Sequence, residues 1–236
     1  MALKITEYAA AAQYASCRTL RTGASSECLI VRVFTGNVST DGAGRASVVV
    51  TPRLVLSPAG PADFDDLVVL FDDPLVAHWT GPSNRSSVEA WATGMATRWS
   101  VEGVAKWIAR SRSDGSLVGR GGFTRFNLDE ERALELGWAV RDVLTGRGYA
   151  TEIGRAALDW AAKHEPETPI VAFSEVHNHA SQAVMRHLSM RQVGVIRREG
   201  LIEGSPGIHA DAPFALYRLD PSRYQREFGR ATARES

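Results

Sequence analysis

A chain of 236 residues with 44% hydrophobic and 23% charged side chains has an ordinary globular composition and the length of one large domain or two small ones. Lys plus Arg and Asp plus Glu both number 27, so the formal net charge is zero, which argues against a nucleic-acid binder and its usual basic excess. No apolar run approaches the roughly 20 residues that span a bilayer. The only cysteines, Cys17 and Cys28, lie near the start, so no thiolate serves a disulfide framework, zinc site or nucleophile elsewhere, and a reducing cytoplasm fits.

Residues 1–50 show no sustained period; they are rich in Ala, Ser, Thr and Gly and poor in acids. A flexible extension is expected there, an organelle transit peptide being the alternative, with Cys28–Phe34 as a stray strand. From Thr51 the pattern sharpens. PRLVLSP, 52–58, reads as a short strand between prolines, and Phe64, Leu67, Val68 and Phe71 follow helical spacing after Asp63, stopped by DDP at 72–74. Ser86 and Glu89 form an S-x-x-E capping box ahead of a helix marked by Val88, Trp91, Ala92, Met95 and Trp99. VAKWIARS (104–111) and LVGRGGFTRF (117–126) are strands joined by an SDGS turn, and ALELGWAV (133–140) alternates strictly. Leu134, Leu136, Trp138 and Val140 share one side of it; Glu135, Gly137 and Ala139 share the other. A helix from about Tyr149 to Lys163 follows, then PIVAFSEV (169–176), an apolar run of the kind buried on both faces. Asn178 can cap the next helix, and RQVGVIRREG and APFALYRL close the chain as strands. The intervening 200–213 segment, rich in Gly and Pro, is expected to be a loop closing over a substrate. This is a mixed α/β order, with a domain over 51–220 and a tail over 221–236.

The segment TGRGYA, 145–150, joins a strand to a helix. A helix N-terminus offers unpaired N–H groups and partial positive charge, and Gly146 and Gly148 let the loop wrap a bulky anion to which Arg147 adds charge. Backbone binding of a phosphate or pyrophosphate and a plain glycine turn both fit. The Walker loop lacks its Gly-Lys-Ser/Thr, and Thr151 breaks the dinucleotide fingerprint.

The segment also resembles the pyrophosphate loop of the GNAT acyltransferase superfamily, Gln/Arg-x-x-Gly-x-Gly/Ala: Gly148 and Ala150 match, while Thr145 replaces the usual first residue. TPRLVL (51–56), DDPLVAHW (72–79), LELGWAV (134–140) and NHASQAVMRHLSM (178–190) are similar to the branch containing the ribosomal-protein-alanine N-acetyltransferases, with Ser189 where a glycine is usual. The resemblance runs from about Thr51 to Leu219. It implies a central, mostly antiparallel twisted sheet with about four flanking helices, splayed in the middle for acetyl-CoA as co-substrate, with no metal. The implied activity is acetyl transfer to a primary amine, a protein N-terminus or a small molecule, in a ternary complex of a monomer or homodimer, without nucleic acid or membrane.

In that fold Trp138, Ala139 and Val140 would hold the thioester, and Thr145, Gly146, Arg147, Gly148, Tyr149 and Ala150 the pyrophosphate. Asn178 would bond the pantetheine arm, and Ser181, at the position of the branch's serine beside the CoA sulfur, would be the acid; both can equally be helix caps. Glu135 is the candidate base and acceptor contact, its pKa raised in a half-buried cleft. The bland reading of Glu135 is a salt bridge to Arg120 or Arg125, and Glu199, Glu203 or a water chain are alternative bases. Trp79 is a candidate acceptor-site wall, whereas Trp91 and Trp99 read as core. His177, His179 and His187 raise the question of zinc, which no cysteine supports. Thr145 and Ser189 also allow a non-catalytic acyl-CoA-binding or sensing module, and a nucleotide-dependent enzyme is a third reading.

Overall fold

The computed structural model describes residues 48–128, 130–220 and Tyr224. Strands β1 (Val49–Val50) and β2 (Leu54–Pro58) lead through a 3-10 turn (Pro61–Asp63) into helices α1 (Phe64–Phe71), α2 (Pro74–Thr80) and α3 (Arg85–Glu102). Strands β3 (Lys106–Ser111), β4 (Leu117–Leu128) and β5 (Glu131–Val140) follow, then a 3-10 turn (Asp142–Leu144) and α4 (Tyr149–His164). The chain continues through β6 (Ile170–Glu175), α5 (His179–His187), β7 (Arg191–Ile202) and β8 (Ser205–Leu219). The eight strands form one sheet in the order β1-β2-β3-β4-β5-β6-β8-β7. Among the described strands only β5 and β6 run parallel, as the α4 crossover between them requires.

The expected mixed α/β fold is what forms, and both faces of its sheet are covered. Trp107, Phe123, Leu134 and Leu136 pack with Ile153 and Trp160 of α4, Met185 of α5 and Leu188 just after it. On the other face Ile108 and Leu117 pack with Leu67 and Leu70 of α1, Val76 of α2 and Val88 and Met95 of α3. The strict alternation of β5 is therefore the signature of a strand that feeds two cores at once.

Several expectations are corrected. DDP ends α1 but also starts α2, because Asp73 accepts hydrogen bonds from Leu75 and Val76 and Pro74 suits the first helical position; among the described residues five helices flank the sheet. The cap of α3 is Asn84, paired reciprocally with Ser87, so Ser86 and Glu89 lie inside the helix. The 200–213 segment is not a loop: it forms the distal arms of the β7–β8 hairpin, with Ile202 opposite Ser205. Val49 and Val50 pair with β2. Tyr224, assigned to the tail, is 4% exposed in the main core. The strand expected over Cys28–Phe34 lies outside the described residues.

At the end of α5, Ser189 takes φ 60°, the left-handed conformation that glycine adopts freely. Ser189→Gly is expected to stabilise the fold by roughly 1 kcal/mol and raise the melting temperature by about 2–4 °C, read by calorimetry.

Candidate active site

β5 and β6 are joined at one end only. Leu134 pairs with Ile170 and Glu135 with Val171, and the Leu134 N–H donates to the Pro169 carbonyl at 2.8 Å. Along a strand, alternate residues turn both main-chain groups to the same neighbour. Leu134 faces β6, so Leu136, Trp138 and Val140 face it too, while the Arg141 N–H donates to Val118 of β4 at 3.1 Å. Beyond Glu135 the strands part, and the main-chain groups of Trp138 and Val140 open into the gap. An extended arm laid there would gain ladder hydrogen bonds as an added strand does.

At the end of β5 the chain turns towards α4. Leu144 and Thr145 close the 3-10 turn by donating their N–H groups to Arg141 and Asp142, and the Thr145 hydroxyl also donates to Asp142. Gly146 and Gly148 then take φ 71° and 80°, conformations that an L side chain rarely adopts. Gly148 caps α4 without a side-chain bond, and among the described residues the N–H groups of 146–151 have no acceptor. They form an open cradle of donors, of the kind that suits an anion. A carboxylate in the first turn, Glu152, would repel an anion, but it is tied back. The Thr51 hydroxyl donates to it at 2.6 Å and the Arg53 side chain pairs with it at 2.6 Å. Burial alone would push the Glu152 carboxyl up; the bonds from Thr51 and Arg53 outweigh it and hold the carboxyl below its ordinary value. Arg53 also donates to the Arg147 carbonyl at 2.9 Å and lies over the Tyr149 ring.

The face of β5 covered by α1–α3 carries Glu135, Gly137 and Ala139. Lys106 reaches across to donate to the Glu135 carboxylate at 2.7 Å and to the Gly122 carbonyl at 2.9 Å, and the Thr124 hydroxyl donates to Glu135 at 2.8 Å. A Cβ on Gly137 would stand 2.8 Å from Glu135 Oε1 and 3.0 Å from Lys106 Nζ, so glycine makes room for the pair. Burial alone pushes the Glu135 carboxyl up; the Lys106 charge and hydrogen bond, the Thr124 hydroxyl and the charge of Arg120 together hold it below the usual range. Nearer the open end, Arg120 is the cross-strand partner of Ala139. Its guanidinium lies over the Phe71 and Trp91 rings, at 5.3 and 5.2 Å from their centroids. Across the gap, counting on from Glu135↔Val171 brings Glu175 level with Ala139 and on the same face. Glu175 is 6% exposed, and its carboxylate accepts no hydrogen bond among the described residues.

Residues 53–191 match the model of the acetyltransferase (GNAT) domain. The chain belongs to the GNAT acetyltransferase family. It is thereby an acyltransferase, and GNAT enzymes use acetyl-CoA as a class. The uncharacterized protein YkkB of Bacillus subtilis (strain 168) is 25% identical over 131 residues, covering 55% of this chain and 76% of that protein. The ribosomal-protein-S5-alanine acetyltransferase of Vibrio fischeri superposes with a TM-score of 0.62 at 12% identity, over 75% of this chain and 98% of that one. RimJ of Mycobacterium smegmatis, solved in complex with CoA-disulfide, gives 0.56 at 20% identity, over 75% and 90%. At such identities these likenesses speak for the fold.

Within this GNAT fold the expected site residues divide into groups. Trp138, Ala139 and Val140 line the open end of the gap, and Gly146 to Ala150 form the cradle, whereas the Thr145 side chain is spent on the turn. The Asn178 side-chain oxygen caps α5 by accepting the Ser181 N–H at 3.0 Å; its NH2 group and the Ser181 hydroxyl have no partner among the described residues. The Trp79 ring meets that of His177 at 5.4 Å with the planes tilted by 41°, joining α2 to the turn after β6 beside the gap. His177, His179 and His187 are not brought into a group: among the described residues no three His, Cys, Asp or Glu side chains cluster to hold a metal. Glu135 does not have the raised pKa expected of a base. Its partner is Lys106, while Arg125 pairs with Glu165 at 3.0 Å. Glu199 and Glu203 are exposed on the hairpin. Arg53, Arg120 and Glu175 were not singled out for the site by the sequence. No helix among the described residues is long and apolar enough to cross a membrane.

Proposed function

We propose that this enzyme binds acetyl-CoA along the β5–β6 gap, with the pyrophosphate on the α4 N-terminus, and transfers the acetyl group to a primary amine within a ternary complex in the cytoplasm. The observation that carries the reading is the alignment of two unfilled main-chain surfaces, the β5 edge at Trp138–Val140 and the amides of 146–151. The CoA complex of the similarly folded M. smegmatis RimJ supports it.

The chemistry follows from what lines the gap. The amine nitrogen attacks the thioester carbonyl carbon; as the C–N bond forms, charge collects on the carbonyl oxygen, where the N–H groups of Trp138 and Val140 stabilise it. The C–S bond then breaks, and the Ser181 hydroxyl gives the thiolate a proton that it regains from solvent. The proton lost by the amine goes to Glu175, which stands level with Ala139. Glu135 sits about 13 Å further back along β5 at the usual rise per residue, too far for direct proton transfer. Its ion pair with Lys106 instead fixes the floor of the acceptor side, and Trp79 walls it.

Thiol release from acetyl-CoA in the presence of an amine panel tests the reading. Ser181→Ala is expected to lower kcat by roughly tenfold to hundredfold with little change in KM for acetyl-CoA. Tight acetyl-CoA binding without thiol release on any amine would make the protein a sensor, and absence of acetyl-CoA binding would remove the proposal altogether.

A further inference from the structure

The acceptor side of the gap holds two arginines whose guanidinium N–H groups find no acceptor among the described residues. Arg120 makes no hydrogen bond from its guanidinium to any described residue, and its Nε is shut off from solvent without an acceptor. Arg141, just past the end of β5 and two positions beyond Ala139, is similar: its Nε is also buried without a partner. The carboxylates nearby are already committed. Glu135 takes its hydrogen bonds from Lys106 and Thr124 and meets Arg120 through its charge alone. Asp73 accepts from the N–H groups of Leu75, Val76 and Asp142. A guanidinium Nε out of reach of water and without an acceptor is costly, and Arg120, held against the Phe71 and Trp91 rings, keeps a planar fork of N–H donors with no acceptor among the described residues, the group that takes a carboxylate bidentately.

The register sets where such an anion would stand. Arg120 is directly opposite Ala139, and Trp138 and Val140, on either side of Ala139, present the main-chain groups assigned to the thioester. The gap is one strand spacing, about 5 Å, from β4 across β5. An amine poised over the gap near Glu175 therefore has the two arginines within the reach of a few bonds. We propose that the acceptor is an amino-acid-type molecule, whose amine lies at Glu175 and whose carboxylate is held by Arg120 with Arg141 beside it. The proposal rests on the acetyl-transfer reading above and narrows its acceptor: the amine of a protein N-terminus is followed by a neutral amide, which leaves both arginines unanswered.

The test compares amino acids with their carboxamides and with the corresponding decarboxylated amines, at saturating acetyl-CoA, by thiol release. The wild type is expected to favour the acid about a hundredfold in kcat/KM. In Arg120→Met that preference is lost through the acid alone, and acetyl-CoA affinity stays as in the wild type. Arg120→Lys, which keeps the charge and loses the fork, is expected to fall between and serves if the methionine variant folds poorly. Equal rates on acids, carboxamides and peptide N-termini would overturn the proposal while acetyl transfer stood. An equal loss on acid and amide in Arg120→Met would overturn it as well. Where no acceptor turns over, the N-acetylated acids and amides are compared by thermal shift in the presence of CoA, and equal shifts overturn it. Failure to bind acetyl-CoA would instead strike at the acetyl-transfer reading.

Discussion

Glu135→Gln is expected to lower the melting temperature by about 6–12 °C, equivalent to roughly 3 kcal/mol. The size follows from what is left behind. Lys106 is 6% exposed and its three donors meet the Glu135 carboxylate, the Glu135 carbonyl and the Gly122 carbonyl. Removing the carboxylate's charge strands that ammonium between β3, β4 and β5, where burial already pushes it below the usual lysine range. Replacing both partners, as in Lys106→Met with Glu135→Leu, is expected to recover most of the loss, because the pair's own attraction roughly repays its desolvation. The pH dependence has a definite sign. The folded Glu135 carboxyl titrates below the ordinary glutamate value, so its contribution is present above that value and disappears as pH falls through the lower folded one. The acid limb of the wild-type stability curve should therefore be shallower in Glu135→Gln. A loss below about 1 kcal/mol would mean that water reaches the pair and that it behaves as a surface salt bridge.

The parts of this structure that were legible in the sequence are those carried by local periodicity and by glycine. The alternation of Leu134 to Val140 marked β5 and its two faces, and the two glycines around Arg147 marked a left-handed corner before α4. What was lost has physical causes. Helix α2 is too short for a period to declare itself, and its Asp73–Pro74 start reads equally well as the stop of α1. Asn84 and Ser86 offer overlapping caps, and the choice falls to the one that lets Val88, Ala92 and Met95 face the core. The Gly- and Pro-containing 200–213 segment suggested a loop because those residues weaken isolated strands, but here long pairing with β7 carries them. Most of the missed site residues became visible only through register. Glu175 stands inside an apolar run, and nothing local says that it comes level with Ala139; that depends on where β5 and β6 stop pairing. Arg120 looked like a partner for Glu135 because the two strands are adjacent, yet Lys106, from one strand further out, occupies that carboxylate.

Glu175→Gln is expected to lower kcat/KM for the amine by roughly a hundredfold to a thousandfold, the range of general-base catalysis, with acetyl-CoA binding changed less than about threefold. The isosteric amide keeps the shape beneath Gly200, where a Cβ would lie 3.1 Å from the carboxylate oxygen, and keeps the packing on Phe214, so the fold should survive. What it removes is, among the described residues, the one carboxylate on the acceptor face that is level with Ala139 and not engaged by another side chain. The loss should be largest at low pH, where the amine is most protonated and most needs an acceptor for its proton, and should shrink as pH approaches the amine's own pKa. Glu175→Asp, with a shorter reach, is expected to retain part of the rate. The contrast with Glu135→Gln is the decisive comparison. If the amine's proton leaves through Glu175, its substitution costs turnover and little stability, whereas that of Glu135 costs stability first. A uniform rate loss across pH in Glu175→Gln, or a loss below tenfold, would place proton removal on a water chain instead and reduce Glu175 to a neighbour of the acceptor.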